Sequence, residues 1–527
     1  MKLSTADTTT ASPRPSGAEP PVRAKAVWWG TFTALLAILL IRNGYLFVTK
    51  IYEAQDFGAN TIAILQAKHF ALLTGNYSRI GFYHPGPAFL YVEAAGEVVF
   101  HDLLHVVPTP WNGQVLAVFI LNAALVATAV LIIHRHHRSA TVSVVCVAVI
   151  LLFFAALPLL VNSPWMPYVY FAPTLLLLVS AASVAAGRTA DLPLLALAAS
   201  LCLHGHVEYL LFAPGIVAAA LITLAVHRRR TRTGLFSGDR KHWLWGLGVA
   251  GVFAVPIILH TLLHWPGEFG RYFSYQNSGT RHRANSPLAV TRYVLHYWWS
   301  GSGAGPIAAA SLVLAGVLVF TCPRPDLRRF LASALGMAVL LSALFGYYAT
   351  SGIDNLSQVY VGYFYWSVPL LVLMIIAVGA SVRLAGRRVA LWAAVAAACA
   401  AALPATMAVA TRDSASGPPP GYRGIPEIPG AVAVLAAHSN GHPMVITMDH
   451  AAWEDVIGLV AYADRHGLRM CLRDRSWAVL ARTSSICTSA DRRAGIVYRF
   501  YTTTKAVPPV GPILARLPGS VVTAANG

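Results

Sequence analysis

Two carboxylates directly after the first apolar run could do acid–base chemistry. Glu53 and Asp56 lie three residues apart in the stretch "IYEAQDFG", so they share one face if a helix continues through them. A partly desolvated carboxylate at the mouth of a membrane helix is suited to take a proton from an acceptor hydroxyl. A solvated pair that marks the end of the span is the alternative, and the residues alone leave both open.

A polar loop that ends in a stiffened histidine follows these carboxylates. The stretch "RIGFYHPGPAF" contains Arg79, Tyr83 and His84 and continues as Pro-Gly-Pro. Proline fixes the backbone, while Gly86 permits close approach by another group. We therefore expect His84 to be held in place rather than mobile, with Arg79 and Tyr83 in the wall of the same chamber.

Two helices are predicted around this loop. Ile62, Leu65, His69 and Leu72 recur at helical spacing with polar residues between them, a pattern typical of a helix along the membrane surface. The apolar segment 86–104 carries three acidic residues, which are costly at membrane depth: Glu93, Glu97 and Asp102. We predict an interfacial or shallowly inserted helix there.

Most of the chain cannot face water, because hydrophobic residues make up 56% of its 527 residues and charged residues only 11%. Apolar runs that could cross a bilayer begin near residues 26, 112, 141, 168, 191, 207, 243, 304, 330, 360 and 388. The net charge of +18 lies in short basic clusters without the aromatic interleaving of a nucleic-acid site. The sequence predicts an all-α polytopic membrane protein with about eleven spans and no nucleic-acid partner.

The basic clusters set the predicted orientation. They lie at 134–138, 188, 227–232, 324–329 and 383–388. With the amino terminus inside, all of them are cytoplasmic, as the positive-inside rule requires. The outer face of the plasma membrane then receives residues 49–111, 162–168, 204–206, 264–303, 351–364 and everything after about residue 411.

Composition divides the chain into five segments. We predict a disordered cytoplasmic tail (1–25), a transmembrane domain (26–410), a Pro/Gly linker (411–430), a small extracytoplasmic α/β domain (431–506) and a loosely ordered tail (507–527). In the α/β domain, "PMVITM", "LRMCLRD" and "GIVYRFYTT" are predicted strands and "HAAWEDVIGLVAYADRHG" a helix. Cys471 and Cys487 can pair there if the domain lies outside the cell.

Two further clusters could belong to a site on the outer face. The loop "EFGRYFSYQNSGTRHRANS" has the densest basic group that topology does not explain: Arg271, Arg281, His282 and Arg283. Arginine holds phosphate oxygens in pairs, so this loop could bind a donor phosphate or, alternatively, anionic lipid headgroups.

His204, His206 and Glu208 interrupt an apolar stretch at a turn between two helices. Ionisable groups near membrane depth indicate function. Their spacing matches no metal motif, so we place them in the chamber wall without a metal.

The first outer loop resembles that of the GT-C membrane glycosyltransferases, which include protein O-mannosyltransferases and aminoarabinose transferases. The shared features are an acidic residue just past the first membrane helix, an amphipathic helix, a His-Pro motif and a second short helix. The likeness covers roughly residues 51–91, and "YSRIGFYHPGPAFLY" is most similar to uncharacterised actinobacterial members. Two features depart from the family pattern: Gly86 interrupts the double proline, and the acidic pair is spread to a spacing of three.

The resemblance implies an inverting enzyme that takes a sugar from a polyprenyl phosphate on the extracytoplasmic side. By position, Asp56 in "QDFG" is the implied base, with Glu53 in reserve, and His84 lies near the donor phosphate. The acceptor would be a cell-envelope glycan, lipid or protein. No cofactor is implied, and dependence on a divalent metal stays open.

Two other functions compete with this interpretation. A lipid-sugar flippase or transporter also needs polar groups in a helical bundle, but it places them near the midplane with broken helices and internal repeats. Here the polar groups gather at one predicted face, and the sequence shows no convincing repeat. A catalytically inactive membrane scaffold is favoured only if Asp56 and Glu53 both point away from any cavity.

Overall fold

The structure is a computed structural model that describes residues 24–234, 236, 240–277, 284–298, 303–384, 424–504 and 509–524. The predicted eleventh span near residue 388 lies outside the described residues. Nearly all of the predicted tail 1–25 and most of the predicted linker 411–430 lie outside them as well.

Seven helices in the described part of the chain are long and apolar enough to cross a membrane. They are Ala24–Arg42, Pro110–His137, Met166–Ala185, Tyr209–Arg230, Arg240–Leu263, Pro325–Ser351 and Val359–Leu384. Three shorter apolar helices begin where further spans are predicted: Ala140–Ala156, Thr189–Gly205 and Ala304–Phe320. The predicted all-α membrane fold is confirmed, while the count of eleven crossings stays a prediction.

The bundle is built around the helix Phe171–Ala185, in which every residue is buried. A helix that is apolar on all sides is stable only when neighbours cover all of them. In the described part of the chain, the helices that cover it include Pro110–His137, Leu192–Gly205, Tyr209–Arg230, Pro325–Ser351 and Ser367–Leu384. Shorter helices at the ends of the bundle are Gly44–Phe47, Leu159–Asn162, Gly267–Asn277 and Pro287–Leu295.

The predicted cytoplasmic clusters meet at one end of the bundle. Arg135 forms an ion pair with Asp191 (Nη1–Oδ1, 2.8 Å), and Arg324 donates to the carbonyl oxygen of His137 (2.9 Å). Arg329 lies 3.3 Å from the ring of His227. The basic clusters between different spans therefore share one end of the bundle, as the positive-inside rule requires.

The first outer loop folds as two helices around a short hairpin. Its elements are Gln55–Lys68, β1 (Tyr77–Ser78), β2 (Phe82–Tyr83), Ala88–Gly96 and a π-helical turn Glu97–Leu103. Gly96 allows the second helix to pack tightly on the bundle, since a Cβ there would collide with the carbonyl oxygen of Gly113.

The structure corrects the environment predicted for the first of these helices. Apart from Leu65 and Gln66, its residues from Gly58 to Ala67 are buried, and Ile62 packs in one apolar cluster with the carboxyl-terminal domain. His69 caps the helix, and Leu72 lies beyond its end. The apolar spacing identified a buried face, but a protein domain rather than the membrane surface covers it.

The carboxyl-terminal domain is a five-stranded mixed sheet packed against helices. Its strands are β3 (Met444–Met448), β4 (Met470–Leu472), β5 (Ile496–Thr502), β6 (Ile513–Arg516) and β7 (Ser520–Ala524), in the order β4-β3-β5-β7-β6. Strands β3, β4 and β5 are parallel, whereas β7 is antiparallel to β5 and β6. The helices Ile428–Ser439 and Trp453–Arg465 contribute to the core, and Cys471 forms a disulfide with Cys487. The short helices Ala478–Ala481 and Ser489–Ala494 complete it.

Two details of this domain differ from the prediction. The segment 507–527 was expected to be loosely ordered, but its residues 513–516 and 520–524 form β6 and β7. Backbone pairing of β7 with β5 and of β6 with β7 orders them, and a short strand between turn residues carries too little periodicity to predict that pairing. The helix Ile428–Ser439 was also missed, because its first residues lie in the predicted linker.

The carboxyl-terminal domain docks directly on the first outer loop. A Cβ added at Gly58 would lie only 3.0 Å from the backbone nitrogen of Gly458, so the helices Gln55–Lys68 and Trp453–Arg465 approach closely where neither has a side chain. Arg465 reaches from the domain to Glu53 and Glu97 of the loop. The domain is therefore part of the architecture that surrounds Asp56.

Candidate active site

A cavity of about 330 Å³ lies between the first outer loop, the ends of the membrane helices and the carboxyl-terminal domain. Its lining comes from four segments predicted to be outside and from the domain. These include Asp56, Asn60, Asn76, Tyr77, Arg79, Phe82, His84, Trp165, Tyr170, His206, Tyr348, Asp354, Tyr360 and Trp453. We call it the Asp56 cavity.

Asp56 lies in the first turn of the helix Gln55–Lys68, where the free backbone N–H groups favour a negative charge. Two aromatic side chains hold its carboxylate. The indole N–H of Trp165 donates to Oδ2 at 2.8 Å, and the hydroxyl of Tyr77 donates to Oδ1. Burial, and then the negative charge of Asp56, raise the pKa of Tyr77, so Tyr77 remains a neutral donor.

Glu53 lies outside the Asp56 cavity. Its carboxylate accepts from Arg465 (Nη2–Oε1, 3.1 Å) and from the hydroxyl of Thr61 (3.2 Å). Burial raises the pKa of Glu53, against the opposing effect of Arg465. The two carboxylates that were predicted together are therefore divided: Asp56 faces the cavity, whereas Glu53 binds the carboxyl-terminal domain.

His84 and His206 lie together in the cavity wall, with ring centroids 4.2 Å apart. Burial, and then the proximity of His206, hold the pKa of His84 well below its ordinary value of 6.5. Nδ1 of His84 accepts the backbone N–H of Val207 at 3.3 Å, so the neutral ring carries its proton on Nε2. His84 is a neutral hydrogen-bond donor at pH 7 rather than a cation.

His204 does not line the cavity, and it holds the His-Pro motif in place. Its Nε2 donates to the carbonyl oxygen of Phe253 at 2.7 Å, and its Nδ1 accepts the N–H of Ala88 at 3.3 Å. A Cβ on Gly86 would collide with the imidazole ring. The prediction that Gly86 permits close approach is confirmed, and the group that approaches is His204.

Glu208 is buried beside the cavity, 3.4 Å from Nδ1 of His206, and neither carboxyl oxygen has a hydrogen bond. Burial raises the pKa of Glu208 well above its ordinary value. No group of three His, Cys, Asp or Glu side chains within the described ranges is arranged to hold a metal. Metal dependence stays open.

The arginines predicted for the chamber wall and for phosphate binding are distributed unevenly. Arg79 lines the Asp56 cavity, where it forms an ion pair with Asp354. Arg271 lies outside the lining and pairs with Glu268 at 3.4 Å (Nη1–Oε1), three residues before it on the same helix. Arg281, His282 and Arg283 lie outside the described residues.

Tyr83 is not in the cavity lining, because it joins the loop to the carboxyl-terminal domain. Its hydroxyl donates to the carbonyl oxygen of Ala478 at 2.8 Å, and its backbone N–H donates to Glu268. The guanidinium of Arg482 lies 4.2 Å from its ring centroid and donates to Thr74 at 2.7 Å. Arg482 of the carboxyl-terminal domain therefore anchors the polar loop without entering the cavity.

The sequence analysis missed much of the cavity lining, including Tyr77, Trp165, Asp354 and Trp453. The sequence predicted whether each of their segments is a helix or a loop, but it did not predict which other segments pack against it. Trp165 lies in a short turn between apolar runs, which is a signal that could have been noticed. It predicts a contact with Asp56 only if the turn is already known to lie beside Asp56.

The whole chain can be compared with known structures. It is similar to ArnT from Cupriavidus metallidurans, whose crystal structure was determined bound to undecaprenyl phosphate. The identity is 14%, the TM-score is 0.56, and the match covers 94% of this chain and 98% of ArnT. The chain has the GT-C fold.

This GT-C fold extends beyond the loop that carried the resemblance, because the match includes the membrane helices and the carboxyl-terminal domain. No protein-family model matches the chain, and no curated protein matches it by sequence. The particular likeness to actinobacterial members stays a prediction.

Proposed function

We propose that this protein is a membrane glycosyltransferase that takes a sugar from a polyprenyl-phosphate donor. The observation that carries the proposal is the position of Asp56, held by Trp165 and Tyr77 at the wall of the Asp56 cavity in a GT-C fold. The similar ArnT structure is bound to undecaprenyl phosphate, which supports a polyprenyl-phosphate donor here.

In the proposed reaction, Asp56 accepts the proton of an acceptor hydroxyl as its oxygen attacks the anomeric carbon of the donor. The bond from that carbon to the phosphate breaks, and polyprenyl phosphate leaves with the electron pair. Attack from the face opposite the leaving group inverts the configuration. Tyr77 and Trp165 fix the carboxylate so that a free lone pair can meet the hydroxyl.

The leaving phosphate needs donors that stay in place as its charge develops. Arg79 supplies a guanidinium in the cavity once it exchanges its ion pair with Asp354 for the phosphate, and His84 supplies a neutral Nε2–H. We keep Arg271, Arg281, His282 and Arg283 in the proposal as an entry for the lipid phosphate. Arg271 has to exchange its pairing with Glu268 for the phosphate to take this role.

We place the cavity and the carboxyl-terminal domain outside the plasma membrane. The basic clusters share the opposite end of the bundle, and positive charge marks the cytoplasmic side. The disulfide between Cys471 and Cys487 is also typical of an oxidising compartment. The acceptor is then a component of the cell envelope.

The test uses the purified full-length chain, a panel of polyprenyl-phosphate pentoses, hexoses and aminopentoses, and an envelope extract as acceptor. The released polyprenyl phosphate is measured by mass spectrometry. We expect release from at least one donor, and a decrease of about 10²- to 10⁴-fold in Asp56→Asn. The matched control is Asp326→Asn, because Asp326 is an exposed carboxylate on the helix Pro325–Ser351, at the end of the basic clusters.

Two outcomes contradict the proposal. If no donor of the panel is consumed while Asp326→Asn and the parent protein are folded and bind undecaprenyl phosphate, the protein is not this transferase. If sealed vesicles that contain the protein move an intact donor across the membrane without cleaving it, the protein is a lipid-sugar transporter.

A further inference from the structure

The carboxyl-terminal domain contributes a tryptophan to the cavity of the membrane domain. Trp453 is half-buried at the start of the helix Trp453–Arg465 and lines the Asp56 cavity. From the geometry we infer that Trp453 forms an acceptor subsite for a saccharide. The inference rests on the proposed function for the reaction, and it adds the class of acceptor and the residue that selects it.

Trp453 and Asp56 both lie in the first turn of a helix, and the two helices touch. Asp56 is the second residue of Gln55–Lys68, and Trp453 is the first residue of Trp453–Arg465. The neighbours of both residues are joined, because Nε2 of Gln55 donates to Oε2 of Glu454 at 2.7 Å. The indole ring and the proposed base therefore line one cavity from opposite sides of the domain interface.

The position of Trp453 is fixed by contacts that flank it on the domain. Gly458 packs on Gly58 five residues further along the same helix, and Arg465 at its end binds Glu53. Arg482 adds a second anchor through Thr74 and the carbonyl oxygen of Gly75. A surface held in this way is preorganised, so little ordering cost remains when a ligand binds to it.

The chemistry around Trp453 fits a sugar ring better than a charged group. The indole offers a flat apolar face, which suits the C–H face of a pyranose or furanose. Asn60, Asn76 and Tyr77 in the same lining offer amide and hydroxyl groups for sugar hydroxyls. The charged residues Arg79 and Asp354 of the lining neutralise each other.

The two substrates must approach from different directions. A polyprenyl-phosphate donor remains attached to a lipid chain, so its sugar reaches the cavity from the side of the membrane helices. Trp453 belongs to the domain that covers the first outer loop, away from those helices. The part of the cavity beside Trp453 is therefore available to the acceptor, with Asp56 between the two substrates.

The first measurement is direct binding, which does not depend on turnover. Neutral mono- to tetrasaccharides of pentoses and hexoses are titrated against the full-length protein, and saturation-transfer NMR reports contact with the ligand. We expect binding of at least one oligosaccharide, weakened about tenfold in Trp453→Ala and retained in Trp453→Phe. Undecaprenyl phosphate binding should be equal in all three proteins.

The second measurement separates acceptor binding from donor binding. With a donor that the parent protein consumes, Trp453→Ala should raise the KM for the oligosaccharide about tenfold, with a much smaller change in the KM for the donor. The matched control is Trp477→Ala, which changes a half-buried tryptophan of the same domain whose ring centroid lies 5.3 Å from that of His450, outside the cavity. It should behave as the parent protein.

The outcomes distinguish the subsite from the proposed function. If oligosaccharides bind through Trp453 but no donor is consumed, the subsite stands and the transferase fails. If the donor is consumed but no oligosaccharide binds, or if only hydroxyl-bearing peptides are glycosylated, the saccharide subsite is overturned. If oligosaccharide binding falls equally in Trp453→Ala, Trp477→Ala and Trp453→Phe, the subsite is overturned, because Trp453 then only stabilises the domain.

Discussion

Trp165 donates its indole N–H to Oδ2 of Asp56 at 2.8 Å across 109 residues of sequence. With the hydroxyl of Tyr77 on the other oxygen, this bond fixes the orientation of the carboxylate in the cavity. A carboxylate that accepts one hydrogen bond on each oxygen keeps lone pairs for one further proton. Asp56 is thus held ready for one direction of approach.

Trp165→Phe should lower kcat about ten- to a hundredfold, because one hydrogen bond to a charged group stabilises its position by about 1.5–3 kcal/mol. The KM for the donor should change little. Steady-state kinetics with the donor identified in the panel provide the measurement. Tyr77→Phe should lower kcat by a smaller factor in the Trp165→Phe background than in the parent protein, since both hydrogen bonds fix the same carboxylate.

Trp477→Phe is the matched control for this change, because it removes an indole N–H outside the cavity. A Trp165→Phe enzyme with normal kcat and a raised KM would show that Trp165 contacts the substrate instead of holding Asp56. Full additivity with Tyr77→Phe would show that the two donors act independently.

The sequence predicted the elements of this site better than the contacts between them. Asp56, Arg79, His84 and His206 were identified because polar residues beside apolar runs have a cost that only function or pairing explains. Helical and strand periodicity reports which face of an element is buried. Periodicity does not report which partner buries that face. The helix Gln55–Lys68, which the carboxyl-terminal domain covers, was therefore predicted to lie on the membrane surface.

Two partners of predicted site residues were also missed, for different reasons. Arg271 stays a predicted phosphate ligand, and its ion pair with Glu268 could have been predicted, because Glu268 precedes it at the helical spacing of three. Glu53 was grouped with Asp56 by proximity in sequence. Its partner Arg465 lies 412 residues away, and no local pattern indicates that distance.

Arg465→Met should lower the free energy of unfolding by about 3–5 kcal/mol, because it leaves the buried carboxylate of Glu53 without its charged partner and leaves Glu97 with Lys68 alone as a cationic partner. Glu53→Gln should cost only about 1–3 kcal/mol, since its amide still accepts from Arg465 and Thr61. Thermal and denaturant unfolding of the full-length protein measure both. Because Asp56 is untouched, folded Glu53→Gln should turn over the donor as the parent protein does.

Asp326→Asn is again the control, and the double variant Glu53→Gln with Arg465→Met should cost less than the sum of the single changes. A Glu53→Gln protein that is stable but as inactive as Asp56→Asn would reassign the base to Glu53. Additive costs would mean that the two side chains do not stabilise each other.

Acid should destabilise the loop around His84. Its pKa in the fold lies below the ordinary 6.5, because burial and then His206 oppose the charged form. As the pH falls below 6.5, the unfolded chain therefore binds a proton at His84 that the folded chain does not. The contribution of neutral His84 to the free energy of unfolding is complete above about pH 6.5 and decreases as the pH falls towards the folded pKa. His84→Gln should reduce the slope of stability against pH below 6.5 by up to about 1.4 kcal/mol per unit.

Unfolding midpoints between pH 7.5 and 5 test this expectation, with the exposed His466→Gln as control. Other buried histidines, His206 among them, keep part of the slope in every variant. An identical slope in His84→Gln and the parent protein would place the acid sensitivity elsewhere.

The carboxyl-terminal domain should be accessible from outside the cell. Arg473 is exposed on this domain, and Arg328 is exposed within a basic cluster that should be cytoplasmic. In a background with Cys399→Ser, Arg473→Cys should react with a membrane-impermeant maleimide in intact cells, whereas Arg328→Cys should react only after the cells are broken. The free cysteines Cys146, Cys202 and Cys322 are buried and give little background. The reverse pattern of labelling would place the Asp56 cavity on the cytoplasmic side, where an envelope acceptor could not reach it.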